Sequence, residues 1–150
     1  MVGIAIVQRV WMAGSLLVSS LLAGCAPVPV AEPIFDTPES AIQEAIAEEL
    51  GMPVALRVET YNHQGDWAFV TGQPLTLDRE PIDYTKTPYA KDLAEGYFDD
   101  NFVALVRSEK AEGGGWVVVE LSIGATDAPF VDWTERHRLP GALIKSVPGR

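Results

Sequence analysis

The chain has 150 residues, a length that fits one domain. Its 47% hydrophobic and 21% charged residues are those of a globular chain, and 21 acidic residues against 11 Lys and Arg give a net charge of −10. That balance argues against a nucleic-acid partner and against docking on an anionic bilayer through basic side chains, and a single cysteine leaves no intramolecular disulfide framework or Cys-rich metal site.

Residues 1–24 carry one charge, Arg9, ahead of the 13-residue apolar run Val10–Leu22. That run is short of the roughly 20 residues needed to span a bilayer. A positive residue, a short apolar core and small residues after it read as a secretory signal peptide. The stretch Leu22-Ala23-Gly24-Cys25 resembles the lipobox of bacterial lipoproteins. The resemblance implies cleavage before Cys25, with fatty acyl chains on its sulfur and its new amino group, so that Cys25 is the lipidation site and the membrane is a partner through lipid. Each buried methylene contributes about 0.8 kcal/mol, so two or three chains anchor where one does not. Residues 25–36, with Pro27, Pro29 and Pro33, read as an extended lipidated tether. Ala26 stands where an Asp in enteric bacteria resembles an inner-membrane retention signal, which implies the outer membrane, facing the periplasm. The plainer alternatives are an ordinary signal peptide with Cys25 incidental, or a short anchor left uncut.

Thr37-Pro38-Glu39 opens a helix, with Thr as N-cap, Pro at the first position and an acid in the first turn. Ile42, Ile46 and Leu50 recur every four residues to make one apolar face, and Gly51 stops the helix. From Val54 the period becomes two: Val54, Leu56 and Val58 share a face, and Arg57, Glu59 and Tyr61 take the other. Residues 62–66 read as a turn and Trp67–Thr71 as the returning strand. Residues 74–88 form a polar, Pro-punctuated connection of a length that is often functional or mobile. A two-turn helix is expected from Thr87-Pro88 to Gly96, a strand over Phe102–Val106, a turn over Lys110–Gly115 and a fourth strand over Trp116–Ile123. A last helix starting near Asp127 would carry Phe130, Trp133 and His137 to Pro140. The domain is expected over residues 37–142, with a loose tail from 143 to 150.

Val54-Ala55-Leu56 leads to Gly65-Asp66-Trp67, and Val103-Ala104-Leu105 leads to Gly114-Gly115-Trp116, with both pairs 49 residues apart. Either an αββ unit is duplicated, or two hairpins look alike because hairpins do. The expected class is α+β: one main N-terminal helix and shorter helices packed on a four-stranded antiparallel sheet.

Residue types give little chemistry. His63 and His137 are lone, no metal-ligand spacing occurs, and neither a metal nor another cofactor is expected. Gly113-Gly114-Gly115 lacks the Lys-Ser/Thr of a phosphate loop and serves a turn instead. Asp92, Glu95, Asp99 and Asp100 match no cation loop and read as a solvated segment. Asp127 with Asp132 would be an acid pair, though Asp127 reads more simply as the cap of the last helix. Trp67, Trp116 and Trp133 are the candidate ligand or partner surface, with a shared core as the competing explanation.

The stretch Gly65–Val70, followed by Gly115–Asp127, resembles small uncharacterised bacterial exported proteins, over most of residues 37–142. A helix on a four-stranded antiparallel sheet also resembles the cystatin-like group, which includes nuclear-transport-factor-like proteins. The chain departs from the latter in lacking three N-terminal helices and the polar residues of a catalytic cone, so no activity carries over. The expectation is a lipid-anchored envelope protein without catalysis, binding a protein or glycan partner or supporting an assembly. The alternatives are a small-molecule binder or enzyme with a cleft between helix and sheet near Trp67 and Trp116, and an inhibitor of a foreign hydrolase that presents residues 74–88.

Overall fold

The computed structural model describes residues 33–144; the expected signal peptide, Cys25, the expected tether up to residue 32 and residues 145–150 lie outside the described residues. Helix α1 (Pro38–Leu50) begins and ends where its caps require. Extended Thr37 accepts from the Ser40 amide at 3.1 Å, and Ser40 Oγ returns the contact to the Thr37 amide at 3.3 Å. This is a reciprocal capping box with Ser in the place usually taken by Glu or Gln. Gly51 (φ 70°) closes the other end in the left-handed region. Ala41, Ile42, Ile46 and Leu50 are buried, and Gln43 Nε2 donates to the Val54 carbonyl at 2.7 Å, which joins helix to sheet.

Four strands, β1 (Ala55–Gln64), β2 (Trp67–Leu75), β3 (Phe102–Ser108) and β4 (Trp116–Ile123), form one antiparallel sheet in chain order. The protein is thus an α+β fold, with helices against a four-stranded antiparallel sheet. Strands β1 and β2 meet through Gly65-Asp66 alone, with Gln64 opposite Trp67, so Asn62, His63 and Gln64 are strand rather than turn. Strand β2 runs on to Leu75 through Pro74. Its last β3 partner is Gly72, opposite Phe102, so Pro74 sits where the strand has become an edge and its missing donor is tolerated.

The connection after β2 is packed. Leu75 bridges to Pro81, Thr76 and Glu80 close a turn, and Ile82, Tyr84 and Thr87 are buried. Tyr84 begins a single 3-10 turn to Lys86, and its hydroxyl donates to Asp100 at 2.7 Å. Burial first, and that hydrogen bond second, hold the Tyr84 hydroxyl well above the usual phenol range. Helix α2 (Ala90–Glu95) is shorter than expected and buries no residue.

Both faces of the sheet are covered. On one, Ala68, Val70, Phe102, Ala104, Val106, Trp116 and Ile123 pack with the apolar face of α1. On the other, Phe69, Val103 and Leu105 pack with Trp133, Leu139 and Leu143, and Trp67, Val119, Phe130 and Ile144 join them. The C-terminal segment is therefore a strap across the face opposite α1. Its helix, α3 (Trp133–Arg136), spans four residues and does not start at Asp127. Pro129 disfavours helical geometry at Ala128, and residues 129–132 form a turn ahead of the helix. Leu143, which the sequence assigns to a loose tail, is fully buried, and Asn62 Nδ2 holds its carbonyl at 2.8 Å.

Two bulges adjust the edges. Glu59 is the extra residue between the Val58–Gly72 and Thr60–Thr71 pairs of β1 and β2, and Val119 is extra between the Val106–Val118 and Leu105–Glu120 pairs of β3 and β4. The 49-residue correspondence links positions on opposite faces: Leu56 and Trp116 pack on the α1 side, and Leu105 and Trp67 on the strap side.

Candidate functional site

A groove of about 700 Å³ opens on the strap side. Its floor is the sheet, with Thr60 from β1, Thr71 and Gly72 from β2, and Phe102 and Val103 from β3; its wall is the irregular stretch 125–128 with Phe130. The end of β4 is pinned beside the start of β3, and this sets the wall. The Asp99 amide donates to the Gly124 carbonyl at 3.0 Å, the Gly124 amide to the Asn101 carbonyl at 2.9 Å, and Asn101 Nδ2 to the Ala125 carbonyl at 2.9 Å. Gly124 (φ 76°) lies against the Phe98 ring, where any side chain would collide. Phe130 is held edge-on to Phe69, with centroids 5.4 Å apart.

The groove has one sign of charge. Glu59 at the β1 bulge, Asp99 ahead of β3 and Asp127 on the wall all line it, and none of its lining residues is Lys or Arg. Its apolar surface comes from Val103, Ala125, Ala128 and Phe130, whereas the Phe102 ring points to the α1 side. The Asn101 Oδ1 atom is buried and has no hydrogen-bond partner. Such an acceptor is expensive to leave unpaired, at about 1–3 kcal/mol.

The three tryptophans chosen from the sequence do not converge. Trp116 is buried on the α1 side, 5.6 Å from the His63 ring. Trp67 and Trp133 are on the strap side, where Trp133 is buried against Phe69 and Phe130 and half-buried Trp67 lies beside His137. The competing core explanation therefore describes Trp116 and Trp133. A smaller hollow of about 380 Å³ does lie between α1, β4 and residues 33–35, with Ala41, Ala45 and Trp116 among its walls. It is the place of the expected helix–sheet cleft, without Trp67.

Near Trp67 a charged cluster fastens the strap. Glu120 accepts from Arg136 at 2.6 Å and meets His137 Nε2 at 2.7 Å, and Arg136 also grips both oxygens of Asp132 at 2.7 and 2.8 Å. The Arg136 hydrogen bond holds the Asp132 carboxyl below the usual carboxylate range. Asp132 is thus an ion-pair partner, while Asp127 faces the groove. His63 and His137 have separate neighbours, Asp100 is taken by Tyr84 and Gln73, and among the described residues no three His, Cys, Asp or Glu side chains form a cation site.

Sequence reasoning missed Glu59, Thr60, Thr71 and Asn101, and assigned Asp127 another role. A usable signal was present in Phe102-Val103-Ala104-Leu105-Val106, which is apolar without alternation. Such a run belongs to a strand covered on both faces, so a second cover over the sheet had to exist. The groove is the gap that this cover leaves.

No protein-family model, curated protein or solved structure matches the chain. Among the described residues no helix is long and apolar enough to cross a membrane.

Proposed function

We propose that the chain is a lipid-anchored, non-enzymatic binding protein of the bacterial cell envelope, acylated at Cys25 and carried on the outer membrane facing the periplasm. The lipobox-like Leu22-Ala23-Gly24-Cys25 and the short apolar run before it support the anchor. The observation that carries the binding function is the strap-side groove, whose volume of about 700 Å³ is that of a small-ligand site with a few polar groups on an apolar floor. Its hydroxyls and carboxylates suit recognition. The one imidazole–carboxylate contact on that face, His137 with Glu120, is occupied by Arg136 and fastens the strap. An envelope protein or a glycan is the partner class for the surface around the groove.

A second reading, a small-molecule binder or enzyme working between helix and sheet, is favoured by the hollow beside Trp116. Labelling that follows substitutions at Trp116 rather than at the groove would select it.

The test is an intact-mass measurement of the protein extracted from membranes, beside Cys25→Ser. A mass gain from acyl chains, lost in the variant together with membrane association, is expected. An unmodified wild-type protein in the soluble fraction would overturn the anchor. Crosslinking in intact envelopes from a photoreactive residue at Ala128, on the groove wall, then reports the partner. Adducts identical to those from a residue placed at exposed Leu77 would overturn the groove as the binding surface.

A further inference from the structure

We infer that the strap-side groove binds a small organic cation, a protonated amine carried on an apolar body; this rests on the groove being the protein's binding site. Two independent features of the groove specify the two ends of such a ligand. Glu59, Asp99 and Asp127 enter it from three separate elements, with no Lys or Arg among its lining residues to neutralise them. Opposed walls of like sign focus the field and concentrate a counter-charge between them. Val103, Ala125 and Ala128 line the groove between those carboxylates, and half-buried Phe130, fixed by Phe69, offers a surface for a ring or an alkyl chain. A bare metal ion answers the charge but leaves the apolar floor uncovered, and among the described residues no metal-binding cluster exists. An anion fails on the charge, and a neutral molecule leaves the three carboxylates of the groove without a counter-charge.

The test is calorimetric titration of the full-length chain with phenethylamine, beside its neutral and anionic counterparts 2-phenylethanol and 3-phenylpropionate. One-to-one binding of the amine is expected, about ten-fold tighter than either counterpart, since three exposed carboxylates act on one ammonium. The affinity should fall as salt is raised from 50 to 500 mM, a readout that needs no variant. The triple variant Glu59→Gln, Asp99→Asn, Asp127→Asn should lose most of the preference for the amine. All three side chains are exposed, so its melting curve should stay close to wild type, and a matched melt separates lost binding from lost fold. Equal affinity for all three probes, a salt-independent affinity, an unchanged preference in the triple variant or no heat of binding would each overturn the inference. Those outcomes leave the envelope-anchor reading to its own mass measurement, and an unacylated protein that prefers the amine would break the anchor alone.

Discussion

The two faces of the sheet are covered by different means. On the α1 side a 13-residue capped helix lays Ile42, Ile46 and Leu50 against Val70, Ala104 and Val106, a regular cover with a regular period. On the strap side residues 125–144 include one four-residue helix, and the cover depends on single large side chains, Trp133, Leu139 and Leu143, dropped onto Phe69 and Leu105. The helix leaves a hollow of about 380 Å³ beside β4. The irregular strap touches the sheet at intervals, and the interval between Asn101 and Phe130 becomes a groove. The lesson is that the irregular side of a two-faced sheet is where a small domain has room for a ligand.

The comparison can be broken by asking whether the two covers belong to one cooperative unit. Phe69→Ala removes the residue around which Phe130 and Trp133 are arranged, and it should destabilise by about 3–5 kcal/mol in urea unfolding. Ile46→Ala on the other face should cost about 2–5 kcal/mol. In both variants tryptophan fluorescence and far-ultraviolet circular dichroism should report one coincident transition. Separate transitions would mean that the strap is a detachable layer.

Leu143→Ala sharpens the same point at the chain's far end. A residue in a loose tail would leave the midpoint unchanged, whereas the buried Leu143 should give a loss of about 2–5 kcal/mol. On the helix side, Thr37→Ala removes the capping box and should cost about 1 kcal/mol in the same measurement. The smallest effect belongs to Asp83, which caps the 3-10 turn after β2. The Thr85 hydroxyl, and then Lys86, hold its carboxyl down at about 2. A carboxyl depressed in the folded state stabilises above its ordinary value near 3.8, and that contribution fades as pH falls toward about 2. Asp83→Asn should therefore lower stability slightly at neutral pH and flatten the profile between those two values, with the two proteins converging below about 2.

Legibility in the sequence followed local signals. The caps of α1, its i, i+4 apolar spacing and the limits of β4 could be read from residues alone, because each depends on neighbours within a turn or a strand. The residues after Asp127 were misread as a longer helix. The aromatic spacing of Phe130, Trp133 and His137 suits a helix, but Pro129 and burial against a sheet decide the backbone there. Pro74 suggested a loop because the end of β3, which makes β2 an edge at that point, is not a local property. The equivalence of Trp67 and Trp116 was a likeness of turns, and side-chain parity puts the two rings on opposite faces. The groove brings together Glu59, Thr71, Asp99 and Asp127, which span 69 residues of chain and meet only through the register of the four strands. No spacing rule connects them.

The central claim is that the protein presents its ligand site on the strap side of the sheet. The most direct measurement is amide and indole chemical-shift mapping of the full-length chain during phenethylamine titration. The account predicts saturable shifts at Thr60, Thr71, Val103 and Asp127, with the Trp116 indole unmoved. Shifts centred on Trp116, Ala41 and Ala45 would place the site under α1 and contradict it.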